Sequence, residues 1–154
     1  MEDLRVSEIM QREVITVGPD TSVRELADLL SKHKISGVPV VDEGQRVIGM
    51  VSEADVILQD ADLHFPHYIQ FLDSIIYLES FSKFRERYRK AFGFKVSEIM
   101  SQEVIAISPE ASVREAATLM ADNKVNRLPV TQARKLVGIV TRGDIVQAIA
   151  ESKA

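Results

Sequence analysis

Residues 138–144 read GIVTRGD, and this stretch near the C-terminus decides how the rest of the chain is interpreted. Its apolar start predicts the end of a β-strand, and Thr141 then begins a helix that carries Asp144 three residues later. Residues 49–55 read GMVSEAD and follow the same order, with Ser52 and Asp55 as the hydroxyl and the carboxylate. Two copies of one strand–hydroxyl–carboxylate element predict two equivalent clefts in the folded protein.

The two copies belong to an internal repeat. VSEIM at residues 6–10 recurs unchanged at residues 96–100, and 18 of the 36 positions in 6–41 are identical 90 positions later. The second copy then lacks one residue, so that Asp55 corresponds to Asp144 at an offset of 89. Half the positions matching over this length indicates duplication.

Each repeat predicts the element order β-α-β-β-α. VSEIM predicts one helical turn, and residues 14–17 predict a short β-branched strand. Ser22 is the expected N-cap of the next helix, with Glu25 completing a capping box. Two strands, over 38–41 and 46–51, flank a short connection. A helix from about Ser52 to Asp60 then closes the first repeat.

The second repeat predicts the same elements and closes with a helix from about Thr141 to Glu151. Pro39 and Pro129 lack an amide donor and are therefore expected at a strand start or edge. One copy of about 55 residues has too little core to be stable alone. The predicted fold class is therefore α+β, with two tandem repeats packed sheet to sheet about a pseudo-two-fold axis.

The predicted domains are the first repeat at 1–60, an insert at 61–93 and the second repeat at 94–154. All three Tyr and all six Phe lie between residues 65 and 94. The apolar run over 67–78 and the helical spacing of aromatic residues over 81–92 predict one or two amphipathic helices. The insert is expected to pack on the repeats or to make a subunit contact.

Composition narrows the function classes for these 154 residues. The net charge of −4 argues against a general nucleic-acid binder, and the chain has no Cys for a thiolate site. No apolar run reaches the ~18 residues of a membrane span. The acidic start lacks the apolar segment of a secretory signal, so a cytoplasmic location is expected.

Catalysis has little support in the sequence. No nucleophile–base pair, phosphate-binding loop motif or metal-ligand cluster is indicated. His64 and His67 flank Pro66, which breaks a helical metal-ligand spacing, and a structural role is favoured for both. The chain is therefore predicted not to be an enzyme.

Residues 35–41 (ISGVPVV) followed by 47–55 (VIGMVSEAD) resemble a CBS motif, and residues 126–130 (NRLPV) followed by 136–144 (LVGIVTRGD) resemble a second one. The resemblance covers the repeats and leaves out the insert. It implies a CBS pair, or Bateman module, which is a regulatory unit that binds adenosine-containing ligands in clefts between the two repeats. The expected ligand is AMP, ADP or ATP, or a related adenosyl compound, with no cofactor required. A disc-like homodimer and an unidentified effector protein are the expected partners.

The residue types suit that ligand. A carboxylate can accept both ribose hydroxyls, which is the expected role of Asp55 and Asp144. Ser52 and Thr141 are expected at helix N-termini, where backbone amides favour phosphate. Strand residues would supply apolar walls for adenine, and two arginines are candidate phosphate partners. The predicted ligand-binding residues are Thr16, Val38, Pro39, Ser52 and Asp55 in the first repeat and Ala106, Arg127, Leu128, Pro129, Thr141, Arg142 and Asp144 in the second.

The two sites are not expected to be equal. The first repeat has Gly37 and Glu53 where the second has Arg127 and Arg142, so the second site is expected to prefer phosphorylated ligands more strongly. Two other interpretations stay open. The hydroxyl–carboxylate elements can be helix caps, worth about 1 kcal/mol, in a ligand-free dimerisation or interaction module. Less favoured is a nucleic-acid-associated protein that uses the basic face of 83–95.

Overall fold

The computed structural model describes residues 4–60, 68–71, 74–77 and 94–152. The predicted order of elements is confirmed in both repeats, apart from the first strand of each. In chain order the elements are α1 Val6–Ile9, α2 Val23–His33, β1 Gly37–Val41, β2 Val47–Ser52, α3 Glu53–Asp60, β3 Tyr68–Phe71, β4 Ser74–Tyr77, α4 Val96–Ile99, α5 Val113–Asn123, β5 Arg127–Gln132, β6 Lys135–Thr141 and α6 Arg142–Glu151.

The chain divides into two compact units whose boundaries cut across the sequence repeats. Unit 1 comprises Met1–Gly18, Val38–Met50 and Ser101–Ala154, and unit 2 comprises Pro19–Gly37 and Val51–Met100. Each unit therefore takes segments from both repeats. The division at 1–60, 61–93 and 94–154 stays a prediction about sequence modules.

The segment around VSEIM is the leader of each repeat, residues 4–12 in the first and 94–102 in the second. Unit 1 is built around a core to which the first repeat contributes its leader. Val6 of α1 is fully buried in one cluster with Leu128 and Val140 of the β5–β6 hairpin and with Val113 of α5. The Val6 N–H donates to the Ala111 carbonyl at 2.8 Å. The leader of the first repeat is thus part of a core that consists mostly of the second repeat.

Unit 2 contains the reciprocal arrangement. Val96 of α4 is fully buried, and its N–H donates to the Thr21 carbonyl at 2.8 Å. The Val23 N–H donates to the Phe94 carbonyl at the same distance. Leu26 and Leu30 of α2 are buried, and α3 packs against both α2 and α4. The two leaders have therefore exchanged repeats.

The predicted strand over 14–17 is wrong except at its last residue. Val17 forms a single parallel bridge with Val40, in which the Val17 N–H donates to the Pro39 carbonyl at 3.2 Å. Extending the ladder in one direction requires an N–H from Pro39, and in the other an N–H from Pro19. Neither proline has one, so the ladder stops after one bridge.

The second repeat ends its first strand in the same way. Ile107 forms a single parallel bridge with Val130, between Pro109 and Pro129 in the equivalent positions. Pro39 and Pro129 lie inside β1 and β5 and not at the strand start. The prediction of an edge position holds, because the side of β1 or β5 on which the proline lacks an N–H is the side that faces this single bridge.

The serine N-caps are confirmed. The Ser22 hydroxyl accepts from the Glu25 N–H at 3.1 Å, and the Ser112 hydroxyl accepts from the Glu115 N–H at 3.0 Å. The C-cap residues that follow α2 and α5, Lys34 and Lys124, adopt the left-handed conformation. Both helices therefore begin and end at equivalent residues of the two repeats.

The paired strands of the two repeats form two hairpins. β1 pairs with β2, and β5 pairs with β6 in antiparallel register, with Arg127 opposite Thr141 and Gln132 opposite Lys135. The β5–β6 turn consists of Ala133 and Arg134, whose φ values are 51° and 68°. This is the backbone of a tight two-residue hairpin turn, which glycine and asparagine adopt more readily than other residues.

The predicted helix over 67–78 is wrong where the insert is described. Tyr68–Phe71 and Ser74–Tyr77 are antiparallel strands, with Tyr68 opposite Tyr77. Both segments are rich in aromatic and β-branched residues, which favour strands. The predicted helix over 81–92, and with it the basic face over 83–93, lies outside the described residues, as do His64 and His67. Within the described ranges no helix is long and apolar enough to cross a membrane.

Candidate ligand-binding site

The site in unit 1 begins where the leader of the first repeat meets β6. Gln11 and Ile139 exchange backbone hydrogen bonds of 2.8 and 2.9 Å. Gly138 makes this approach possible, because a Cβ there would lie 2.6 Å from Met10 Sδ and 2.9 Å from the Gln11 carbonyl oxygen. The motif glycine is therefore required by close packing between the two segments.

Thr141 and Asp144 form a complete capping box at the start of α6. The Thr141 N–H donates to Asp144 Oδ2 at 2.8 Å, and the Asp144 N–H donates to Thr141 Oγ1 at 3.2 Å. The cap interpretation is thus confirmed for this pair. The capping hydrogen bond leaves Asp144 able to bind a ligand, because a carboxylate has about four acceptor positions and the cap uses one of them.

Besides its backbone pairing with Ile139, Gln11 makes a side-chain contact with Asp144 that the sequence did not predict. Its Nε2 lies 3.2 Å from Asp144 Oδ1 and 3.3 Å from Oδ2. Gln11 belongs to the first repeat and Asp144 to the second. Because the exchange of leaders is not visible in a repeat pattern, nothing in the sequence of the second repeat indicated this residue.

The arginines and the predicted adenine wall lie near the same end of the β5–β6 hairpin. Arg127 is half-buried and opposite Thr141, and Arg142 is exposed in the first turn of α6, with its N–H bonded to the Asn126 carbonyl at 2.8 Å. The predicted wall consists of two buried residues of β5 and a half-buried residue that precedes the Ile107 bridge. These are Leu128, Pro129 and Ala106.

The residues predicted for the first site are divided between the two units. In unit 1, Thr16 is half-buried next to the Val17 bridge, and Val38 and Pro39 are buried in β1. In unit 2, the Ser52 N–H donates to Asp55 Oδ2 at 2.8 Å, and the Ser52 hydroxyl lies 3.3 Å from the same oxygen. The cap interpretation is therefore supported for the first repeat also.

The described residues contain no group of three or more His, Cys, Asp or Glu side chains that could hold a metal ion. Unit 1 places one carboxylate fixed by a cap, a helix N-terminus and the backbone of two arginines at the same end of the β5–β6 hairpin. This is a donor and acceptor set for a polar organic anion with hydroxyl groups.

The family model described as CBS domain matches the chain twice, at residues 6–62 and 96–151. The chain belongs to the CBS domain family. Both matches begin at a VSEIM leader and extend through the helix that follows the hydroxyl–carboxylate element. The family predicted from the two motifs is confirmed.

Two sequence relatives span most of this CBS pair. The uncharacterized protein MJ1426 of Methanocaldococcus jannaschii is 30% identical over 156 residues, covering 96% of this chain and 92% of its own length. The chloroplastic CBS domain-containing protein CBSX2 of Arabidopsis thaliana is 30% identical over 142 residues, covering 89% of this chain. The present chain spans 59% of the length of CBSX2.

A solved structure of CBSX2 in complex with AMP is similar along the whole fold. It is 28% identical, has a TM-score of 0.77 and covers 98% of this chain and 99% of the chain in that structure. The α+β architecture predicted from the sequence is therefore that of a known CBS pair.

Proposed function

We propose that this CBS pair is a regulatory module that binds an adenine nucleotide or a related adenosyl ligand at Asp144. The observation that carries the proposal is the Asp144 carboxylate, which the cap fixes at the N-terminus of α6. The AMP complex of CBSX2, a relative of the same fold, supports an adenosyl ligand. No catalytic activity is part of this function.

The proposed binding mode assigns one ligand group to each polar element. The ribose hydroxyls donate to the Asp144 carboxylate in a charge-assisted contact. The phosphate binds at the N-terminus of α6, where the helix dipole favours negative charge. Arg127 and Arg142 lie at that end of the hairpin and would balance the phosphate charge. Adenine would lie against Ala106, Leu128 and Pro129.

We expect the two sites to differ in their preference for phosphate. Glu53 begins α3 at the position where Arg142 begins α6, and it adds a negative charge at a helix start that would receive phosphate. Ser52 and Asp55 are the proposed polar residues of the first site. That site is expected to bind phosphorylated ligands more weakly than the Asp144 site.

A thermal-shift panel with adenosine, AMP, ADP and ATP tests the proposal. A ligand at 100 times its Kd adds about 2.7 kcal/mol to the stability of the folded state. For a chain of this size that raises the Tm by about 5–10 °C. A flat response to every compound would remove the proposed function and favour the ligand-free interaction module, which the two helix caps also fit.

We further propose that the module signals as a homodimer, through a ligand-dependent shift between two arrangements. The supporting observation is an apolar surface on α6, where Val146 and Ile149 are 60% and 50% exposed. Ile57 of α3, the repeat equivalent of Val146, is 62% exposed. A symmetric dimer needs a self-complementary patch, and large apolar side chains at equivalent helix positions suit one.

Light scattering on the native chain and on Val146→Asp tests this assembly. The native chain is expected to have the mass of a dimer and the variant the mass of a monomer, because a buried charge opposes association. A native monomer would exclude the homodimer and leave the α6 surface to an effector protein.

A further inference from the structure

Gln11 has no part in the binding mode described above, yet it contacts the residue on which that mode depends. We propose that Gln11 sets the affinity of the Asp144 site for adenosyl ligands, because its side-chain amide occupies the carboxylate edge that a ribose diol would take. An adenosyl ligand must then displace the amide in order to bind. This inference rests on the proposed function of the site.

The geometry supports competition for the same acceptor atoms. The Gln11 amide lies within 3.3 Å of both carboxylate oxygens, and Oδ2 also accepts from the Thr141 N–H. A ribose diol needs both oxygens for a bidentate contact. The cap is part of the helix and is retained, so the Gln11 amide is the donor that a ligand displaces.

The backbone of Gln11 is fixed by hydrogen bonds, whereas its side chain can rotate. Its main chain is paired with Ile139, and Gly138 provides the space for that pairing. The side chain itself is exposed. Displacement therefore requires only a rotation about side-chain bonds, while the leader and β6 stay paired.

The first repeat offers a natural comparison. Ser101 exchanges backbone hydrogen bonds of 2.8 and 3.0 Å with Met50, as Gln11 does with Ile139. Serine has a single hydroxyl on its Cβ, whereas glutamine extends an amide two carbons further. The competing donor is thus specific to the position that faces Asp144.

The competition lowers the affinity for every ligand that binds through its ribose diol. AMP and adenosine must displace the same amide, so the cost is the same for both and the ratio of their affinities does not change. A compound with a phosphate also gains the helix N-terminus and the arginines, and it therefore still binds well after paying that cost. Adenosine has only its ribose and base to do so.

Calorimetric titration of AMP and of adenosine tests the proposal, in an Asp55→Asn background that removes the carboxylate charge of the first repeat. Gln11→Ala is compared with the matched control Ser101→Ala. Removing one competing hydrogen bond is expected to tighten AMP binding by about three- to tenfold. The gain for adenosine is expected to be of the same size, whereas Ser101→Ala should bind as the parent does.

An unchanged or weaker AMP affinity in Gln11→Ala would overturn the proposal, since Gln11 would then be a bystander or a ligand contact. Equal tightening in Ser101→Ala would overturn it as well. If the native chain and all variants fail to bind AMP and adenosine, the proposed function itself fails and the competition fails with it. That outcome differs from the others because the Ser101→Ala control then also shows no binding of AMP or adenosine.

Discussion

At the scale of single residues, Gly138 connects the packing of unit 1 to its candidate site. It allows the leader to approach β6, and that approach places Gln11 beside Asp144. The sequence showed Gly138 as a motif position and Asp144 as a candidate ligand. It could not show Gln11, because repeat periodicity relates positions in different copies and does not reveal which copy each leader packs against.

Gly138→Ala is expected to cost about 2–3 kcal/mol of unfolding free energy. The new methyl group would lie 2.9 Å from the Gln11 carbonyl oxygen, so the backbone of the leader must move. Urea denaturation measures the change. Gly143→Ala is the matched control, because its nearest neighbour would be Thr141 Oγ1 at 3.6 Å, and helix propensity then favours alanine. A Gly138→Ala variant as stable as the control would contradict this account of the motif glycine.

At the scale of elements, most helices and hairpins follow from local chemistry that the sequence displays. Ser22 and Ser112 start helices where a serine three residues before a glutamate predicts them. The first strand of each repeat is shorter than predicted because prolines stand where its ladder would need an N–H donor. Their pairing partners, which decide the length of the ladder, are tertiary information. In the insert, β-branched and aromatic residues favoured strands over the predicted helix.

Substitutions in the β5–β6 turn are expected to raise the free energy of unfolding. Ala133 and Arg134 both have positive φ, which costs about 1 kcal/mol or more for a residue with a Cβ. Replacing the pair with Asn-Gly, which suits this turn, should raise the unfolding free energy by about 1 kcal/mol. Ala133→Val should lower it, since a β-branched residue resists this conformation. Chemical denaturation of both variants gives the sign, and a stabilising Ala133→Val would refute the turn assignment.

At the scale of the whole molecule, the exchange of leaders means that a sequence repeat and a compact unit of the fold do not contain the same residues. Val6 is fully buried among second-repeat residues, and Val96 is fully buried in unit 2. Exposed ion pairs follow the same exchange, with Arg5 bonded to Glu110 and Lys95 Nζ lying 3.5 Å from Asp20. The sequence revealed two repeats and their family, but not that each completes its core with a segment of the other.

The separate repeats are therefore expected not to fold. A fragment of residues 94–154 lacks Val6, which leaves a cavity in the core and removes the donor that satisfies the Ala111 carbonyl. Circular dichroism should show no cooperative thermal transition for 94–154 or for 1–60 alone. An equimolar mixture should recover one. Cooperative unfolding of a single repeat would contradict the exchanged core.

The most direct test of the central claim is calorimetric titration of AMP into the native chain and into Asp144→Asn. The asparagine oxygen can still accept from the Thr141 N–H, so the cap and the Tm should be largely preserved. Loss of the charged acceptor should weaken AMP binding about 10- to 100-fold, as expected for a hydrogen bond to a charged group. Equal affinity of the two proteins for AMP would contradict the assignment of Asp144 as the ribose-binding carboxylate.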